Sequence, residues 1–340
     1  MNFQERRDQP PGGIVGTLNS GPSATETAPT SPADSRRLAF YLLPLILSPI
    51  LFFVAAYLIV PSKWLALRSG NTYLANLGYG ATLYGVDCQV VVSGDSSAMV
   101  GVDPGVIRRR TGLNTCNIAE FEGMTILNGT MVVDRYLAQN ARPRFLVFLY
   151  TPEDFDPQSQ RREVGMYEAA TWRLSQPHRL SNLIAVVRRP DEFFTWAEQG
   201  LRLAVERIMS KPASPEILQF RAEHQGQLPI HAPPLTACEG GRPYSAPDRN
   251  WVSGLRAKYG GQGITVLIDS TPMPPCDPEL AYFQQRLPGV IDNSVETVPL
   301  EMFTADGRLH ANAAGAARIS NMIADQIVQR MSADSAAGAH

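Results

Sequence analysis

The chain has 340 residues, with 30 Lys and Arg against 32 Asp and Glu, for a formal net charge of −2. That balance excludes a broad electrostatic affinity for nucleic acid, which needs a basic surface. Hydrophobic residues make up 44% and charged residues 18%, so some of the apolar content can lie outside a soluble core, and Gly and Pro at 27 each are too few for a collagen or a wholly disordered chain.

In chain order, residues 1–37 carry turn-rich stretches and no apolar periodicity. They read as a disordered cytoplasmic tail, with too little apolar surface to offset the entropy of ordering. Residues Leu38 to Val60 follow without a charge. As a helix they extend about 34 Å, enough to cross a hydrocarbon core of about 30 Å. Pro44 and Pro49 lie inside this run. Such prolines weigh against a helix in water and are tolerated in a bilayer. Tyr41, Tyr57 and Trp64 suit an interfacial aromatic belt. The run reads as an uncleaved signal anchor rather than a cleaved signal peptide, whose apolar region is shorter. Arg36 and Arg37 before the span face Lys63 and Arg68 after it. The local basic count is even, and Arg6 and Arg7 tip it towards a cytoplasmic N-terminus, in the inner membrane, with an extracytoplasmic (periplasmic) domain.

Residues 61–331 form one candidate domain, and 332–340 a second disordered tail. Short apolar, β-branched runs at Cys88 to Ser93, 115–118, Phe145 to Tyr150 and Ile264 to Ile268 predict buried parallel strands. Helices are predicted at Ser97 to Arg110, interrupted by Pro104, at 128–141, at 192–209, and from Ala313 to Met331. In the last, Ile319, Ile323 and Ile327 mark one buried face. Strands alternating with helices indicate an α/β sandwich around a mostly parallel sheet. Between Tyr150 and Ile264 no strand is predicted; residues 157–210 read as helical and 211–250 are Pro-rich, so that 157–250 forms an insertion, a cap or a helical layer.

Four cysteines, Cys88, Cys116, Cys238 and Cys276, all follow the span. An even number on an external face permits disulfides, with three possible pairings. If Cys88 and Cys116 flank neighbouring parallel strands they can pair, leaving Cys238 with Cys276. The alternative is a zinc site with His224 and His231, but no short Cys/His spacing supports it.

The chemistry is concentrated at two places. The first predicted strand runs into Gly94-Asp95-Ser96-Ser97, where a strand-to-helix turn can present a serine hydroxyl at the carboxyl edge of the sheet. Serine needs a base. The candidate is His310, just before the last helix, with Asp306 four residues upstream to orient it. Each residue also has a structural reading: Ser96 as a helix N-cap with Asp95 and Ser97 as further capping or turn residues, and Asp306 as a turn residue; Glu153 and Asp154 either line the site or cap the following segment.

The segments VVVSGDSSAMVGVDP and ADGRLHANAAGA resemble the first and last blocks of the SGNH (GDSL-like) hydrolase superfamily. The anchored layout resembles membrane-tethered members that work with membrane-bound O-acyltransferases on surface polysaccharides. The resemblance implies a three-layer α/β sandwich, Ser96 as nucleophile, and His310 with Asp306 completing a triad. It also implies Asp95, Ser97 and Gly123 as supporting residues near the oxyanion, and no cofactor or metal. Two departures stand out. The last block reads D-x-x-x-H instead of D-x-x-H, which leaves Asp292 as another possible acid, and the G-x-N-D block is absent. After FLVFLY the chain reads Thr151-Pro152-Glu153-Asp154. Gly129 is a second possibility for the glycine of the next block. An α/β-hydrolase is the nearest enzyme alternative, but Gly94-x-Ser96-x-Ala98 lacks its final glycine, and Ser96 follows the first strand.

The expected activity is that of a membrane-anchored serine esterase or O-acyltransferase, acting on acyl, chiefly acetyl, esters of a cell-surface polysaccharide. Its expected partners are the bilayer, a membrane-bound O-acyltransferase that delivers the acyl group, and a hydroxyl acceptor. The alternative is a non-catalytic polysaccharide-binding or assembly subunit that keeps the fold.

Overall fold

The computed structural model describes residues 32–59, 79–80, 83–121, 130–155, 214–238 and 246–337, with isolated positions between 198 and 209. The chain divides into two units, Met1–Ile50 and Leu51–His340. Helix α1 runs Pro32–Ile59 and continues through Pro44 and Pro49. It starts before Leu38, so the last residues of the expected tail are helical. Phe40, Tyr41, Leu45 and Leu51 on it are exposed. Counted over the described residues, no helix is long and apolar enough to cross a membrane; several side chains of α1 lie outside that description.

Among the described residues, the second unit contains four parallel strands: β1 (Val90–Gly94), β2 (Thr115–Asn117), β3 (Phe145–Tyr150) and β4 (Thr265–Ser270), in the order β2-β1-β3-β4. Val92 registers with Asn117 on one side and Val147 on the other, and Phe148 with Ile268. The predicted strands are present: β3 matches, β2 is one residue shorter at its end, and β1 and β4 are shifted by one or two residues at both ends. Continuous apolar runs form strands because both faces of this sheet are covered.

One face carries Val91, Phe148, Tyr150 and Ile268 against α4 (Met131–Gln139), α6 (Arg249–Gly260) and Phe283 of α7 (Leu280–Arg286). The other carries Val90, Val92, Val147 and Leu267. Against these pack α2 (Ser96–Gly101), α3 (Pro104–Thr111) and Ile319, Ile323 and Ile327 of α8 (Ala313–Ala337). Helices therefore cover both faces, a three-layer arrangement. In chain order, α5 (Ser214–Glu223) lies between β3 and α6.

Helix boundaries also differ from expectation. The interrupted helix at 97–110 is two helices, because Pro104 opens α3 and Asp103 caps it, its Oδ1 accepting from the Gly105 N–H at 2.7 Å. Helix α8 runs on to Ala337, taking in residues read as tail. Its added turns are rich in Ala, a strong helix former. The helix expected at 192–209 lies almost wholly outside the described residues, as do Gly123, Asn128 and Gly129. The disulfides are Cys88–Cys116, tying the start of β1 to β2, and Cys238–Cys276.

After β1 the chain crosses to the α2–α3 face. After β3 it passes to the α6 face. The adjacent strands β1 and β3 thus send the chain in opposite directions. Their carboxyl ends form the crevice where parallel sheets bind ligands.

Candidate active site

Ser96 stands at this crevice. Gly94 ends β1 so close to β3 that a Cβ there would lie 1.9 Å from the Leu149 carbonyl oxygen and 2.8 Å from the Ala98 Cβ. Only glycine lets β1 turn into α2 at this point. Asp95, not Ser96, is the N-cap. Its Oδ1 accepts from the Ser97 N–H at 2.9 Å and from the Ser97 hydroxyl at 2.6 Å. Its Oδ2 accepts from the Thr151 N–H at 2.5 Å, joining the ends of β1 and β3. With capping assigned to Asp95, the Ser96 hydroxyl is free of that duty. Ser96 is half-buried at the first position of α2, whereas Asp95 and Ser97 are fully buried. The Ser97 hydroxyl also meets the Thr271 hydroxyl at 2.5 Å, bracing the turn against the segment after β4.

His310 arrives from the far end of the chain. Its Nε2 lies 2.9 Å from the Ser96 Oγ. The loop that carries it is closed by backbone bonds: Thr304 N–H to the His310 carbonyl at 2.8 Å, and His310 N–H to the Gly307 carbonyl at 3.2 Å. Just after it, Asn312 accepts from the Ala314 and Gly315 N–H groups at 3.1 Å and starts α8. Burial lowers the His310 pKa below its ordinary value, while Asp95 and Asp306 pull it back up. Burial outweighs them, so the imidazole is neutral near pH 7 and able to accept a proton.

Asp306 Oδ2 stands 3.7 Å from His310 Nδ1, within ion-pair reach but beyond a hydrogen bond. Asp306 is 53% exposed, and Nδ1 is buried with no hydrogen-bond partner among the described residues. Of the two acids considered, Asp306 is the one near the imidazole, although no hydrogen bond joins them. Asp292 is committed elsewhere. It takes two bonds from Arg256 Nη1, at 3.0 and 2.9 Å, and one from the Ile268 N–H at 2.7 Å.

Two neighbours of His310 carry no sequence signal. A Cβ on Gly307 would fall 2.5–3.0 Å from three imidazole atoms, so the glycine makes room for the ring. Arg308 donates to Glu153 at 2.5 Å and to Glu279 at 2.6 Å, with Asp277 at 3.4 Å. Glu153 therefore belongs to an ion cluster and is not a simple cap. Its partners lie too far apart in the chain for spacing to reveal them. Burial raises the Glu153 pKa despite Arg308, and Glu120, fully buried beside the end of β1, is raised further by the same cause. Cys238 and Cys276 are bonded to each other, so neither is available to the zinc alternative. Comparison with protein-family models, with curated proteins and with solved structures gives no match.

Proposed function

We propose that the chain is a membrane-anchored serine esterase or O-acyltransferase of the SGNH type, with Ser96 as nucleophile, His310 as base and Asp306 as its acid. The observation that carries this reading is the 2.9 Å contact between Ser96 Oγ and His310 Nε2, made at a crevice of the parallel sheet across 214 residues of chain.

The steps follow from the atoms present. As Ser96 Oγ attacks an ester carbonyl carbon, its proton passes to Nε2, which requires the other imidazole proton on Nδ1, facing Asp306. The Ser96 N–H has no partner among the described residues and is free to donate to the developing oxyanion. Collapse breaks the carbon–oxygen bond to the leaving alcohol, which takes the proton from Nε2 and leaves acyl-Ser96. A second hydroxyl, from water or a sugar, then attacks the acyl carbon as its proton passes to Nε2; the bond from that carbon to Ser96 Oγ breaks, Oγ takes the proton from Nε2, and the acyl group leaves on the acceptor. Hydrolysis and transfer differ only in that acceptor. A surface polysaccharide is the acceptor that the near-neutral charge and the anchored layout favour.

The apolar run 38–60, helical as far as Ile59 with large apolar side chains exposed, supports an inner-membrane anchor. Two disulfides support an oxidising, extracytoplasmic compartment for the folded domain. A single helix offers no route for an activated acyl group, so a membrane-bound O-acyltransferase is the expected donor.

A second reading has its own observation. The orphaned His310 Nδ1 and the exposed Asp306 are what a binding or assembly subunit that had lost its chemistry would show. Covalent labelling with a fluorophosphonate probe separates the two. The enzyme reading requires a Ser96 adduct by mass spectrometry that disappears in Ser96→Ala. A folded wild type that takes no label favours the binding subunit.

A further inference from the structure

The His310 loop needs more than its own backbone bonds to stay in place. Leu309 sits at φ +56°, a left-handed conformation that a branched side chain occupies only when its surroundings impose it. Asp306 cannot impose it, being half exposed and out of hydrogen-bond range. The neighbour that can is Arg308. Its guanidinium reaches two separate turns: Glu153, in the short turn Pro152–Phe155 after β3, and Asp277 with Glu279, just before α7.

Both anchor points are themselves fixed. The Asp154 N–H closes the first turn on the Thr151 carbonyl, and the Thr151 N–H binds the cap of the nucleophile's own helix. In the second, Asp277 Oδ1 accepts from the Glu279 N–H at 2.9 Å, and Cys276 next to it is bonded to Cys238. Arg308 is 11% exposed, Glu153 11%, and Asp277 and Glu279 4% each. Charge pairs so withdrawn from water are geometrically demanding, and removing one partner leaves the others uncompensated.

We propose that Arg308 is a positioning residue: by clasping the Glu153 turn to the Asp277–Glu279 turn it holds the Leu309–His310 backbone so that the imidazole stays at Ser96. The proposal rests on the reading of Ser96 and His310 as nucleophile and base. Arg308 touches no reacting atom and acts through His310.

The test reads the imidazole directly. Full-length protein in detergent is labelled with [13C]histidine, and the His310 resonance, identified by its loss in His310→Gln, is titrated. The groups that face His310 are Ser96, Asp95 and Asp306, with the Arg308 cluster behind its loop. In wild type the ring titrates below its ordinary value of 6.5, because burial dominates. Arg308→Gln releases the loop and lets water reach the ring. The carboxylates also lose their counter-charge, so both effects move the titration up towards 6.5. Arg308→Lys, which keeps the charge, leaves it depressed. Labelling of Ser96 should fall about 100-fold in Arg308→Gln, the scale of a 1 Å misplacement.

Should Arg308→Gln fail to fold, Glu279→Gln carries the test: the lost negative charge moves the ring down and the released loop moves it up, so a net upward move supports the clasp and none overturns it. A lowered thermal stability with the His310 titration unmoved in the folded variants would overturn the proposal and leave Arg308 a merely structural residue. A titration that moves as expected in a protein that takes no label would instead count against the esterase reading and leave the positioning role standing.

Discussion

The steric constraint that bears directly on the imidazole is at Gly307. An alanine methyl there would stand 2.5 Å from His310 Cε1, 2.6 Å from Nδ1 and 3.0 Å from Nε2. Ordinary contact begins at about 3.4 Å, so the ring must withdraw by nearly 1 Å or the loop must open. Such a shift takes Nε2 from 2.9 Å to beyond hydrogen-bond reach of Ser96 Oγ. A misplacement on that scale costs about 100-fold in rate, or about 2.7 kcal/mol of transition-state stabilisation. Overpacking adds about 1–3 kcal/mol of destabilisation if the loop resists. The assay is the fluorophosphonate labelling rate of Gly307→Ala, read beside its thermal unfolding. Gly254→Ala is the control. A Cβ there meets nothing within 4 Å in the middle of α6, so this variant should label normally and gain about 0.5–1 kcal/mol. If Gly307→Ala labels within about threefold of wild type, well inside the expected loss, the imidazole is not sterically confined as described.

Four further outcomes follow from the structure. Labelling should be lost on acidification with a midpoint below 6.5, since the base must be neutral, and Asp306→Asn should slow it about tenfold, far less than the roughly 10⁴-fold cost of removing a buried, hydrogen-bonded triad acid; a larger loss would mean that the 3.7 Å contact tightens with substrate. Asp269, buried near the end of β4, is pushed up by burial to about 7. Between its unfolded value near 4 and pH 7 the folded state keeps a proton the unfolded state has lost, so this group's contribution falls as pH rises; denaturant unfolding of Asp269→Asn should gain on wild type across that window by at most about 4 kcal/mol, and a pH-independent difference would refute the assignment. Replacing both Cys88 and Cys116 by Ala should cost about 3–4 kcal/mol, from a closed loop spanning 28 positions, and an unchanged unfolding midpoint would show that the bridge does not constrain the unfolded chain.

What the sequence by itself determined is what depends on neighbours along the chain. Runs such as FLVFLY are buried strands because no other element of that length hides six apolar side chains on two covered faces. Gly94-Asp95-Ser96 is a strand-to-helix turn because glycine permits the close approach and aspartate the cap. Asn312 starts the last helix for similar local reasons, which places His310 just outside it. The even cysteine count followed from composition alone, and pairing Cys88 with Cys116 needed only the guess that they flank adjacent strands. Tertiary structure decided the rest. It assigned the cap to Asp95 rather than Ser96, committed Asp292 to Arg256, and brought Asp306 to His310 despite the lengthened spacing. It also gathered Glu153, Asp277 and Glu279 around Arg308. These are contacts between charges and turns far apart in the chain. Their residues fit many local roles equally well, and only the closing of the parallel sheet, with β1 and β3 sending the chain to opposite faces, selects one.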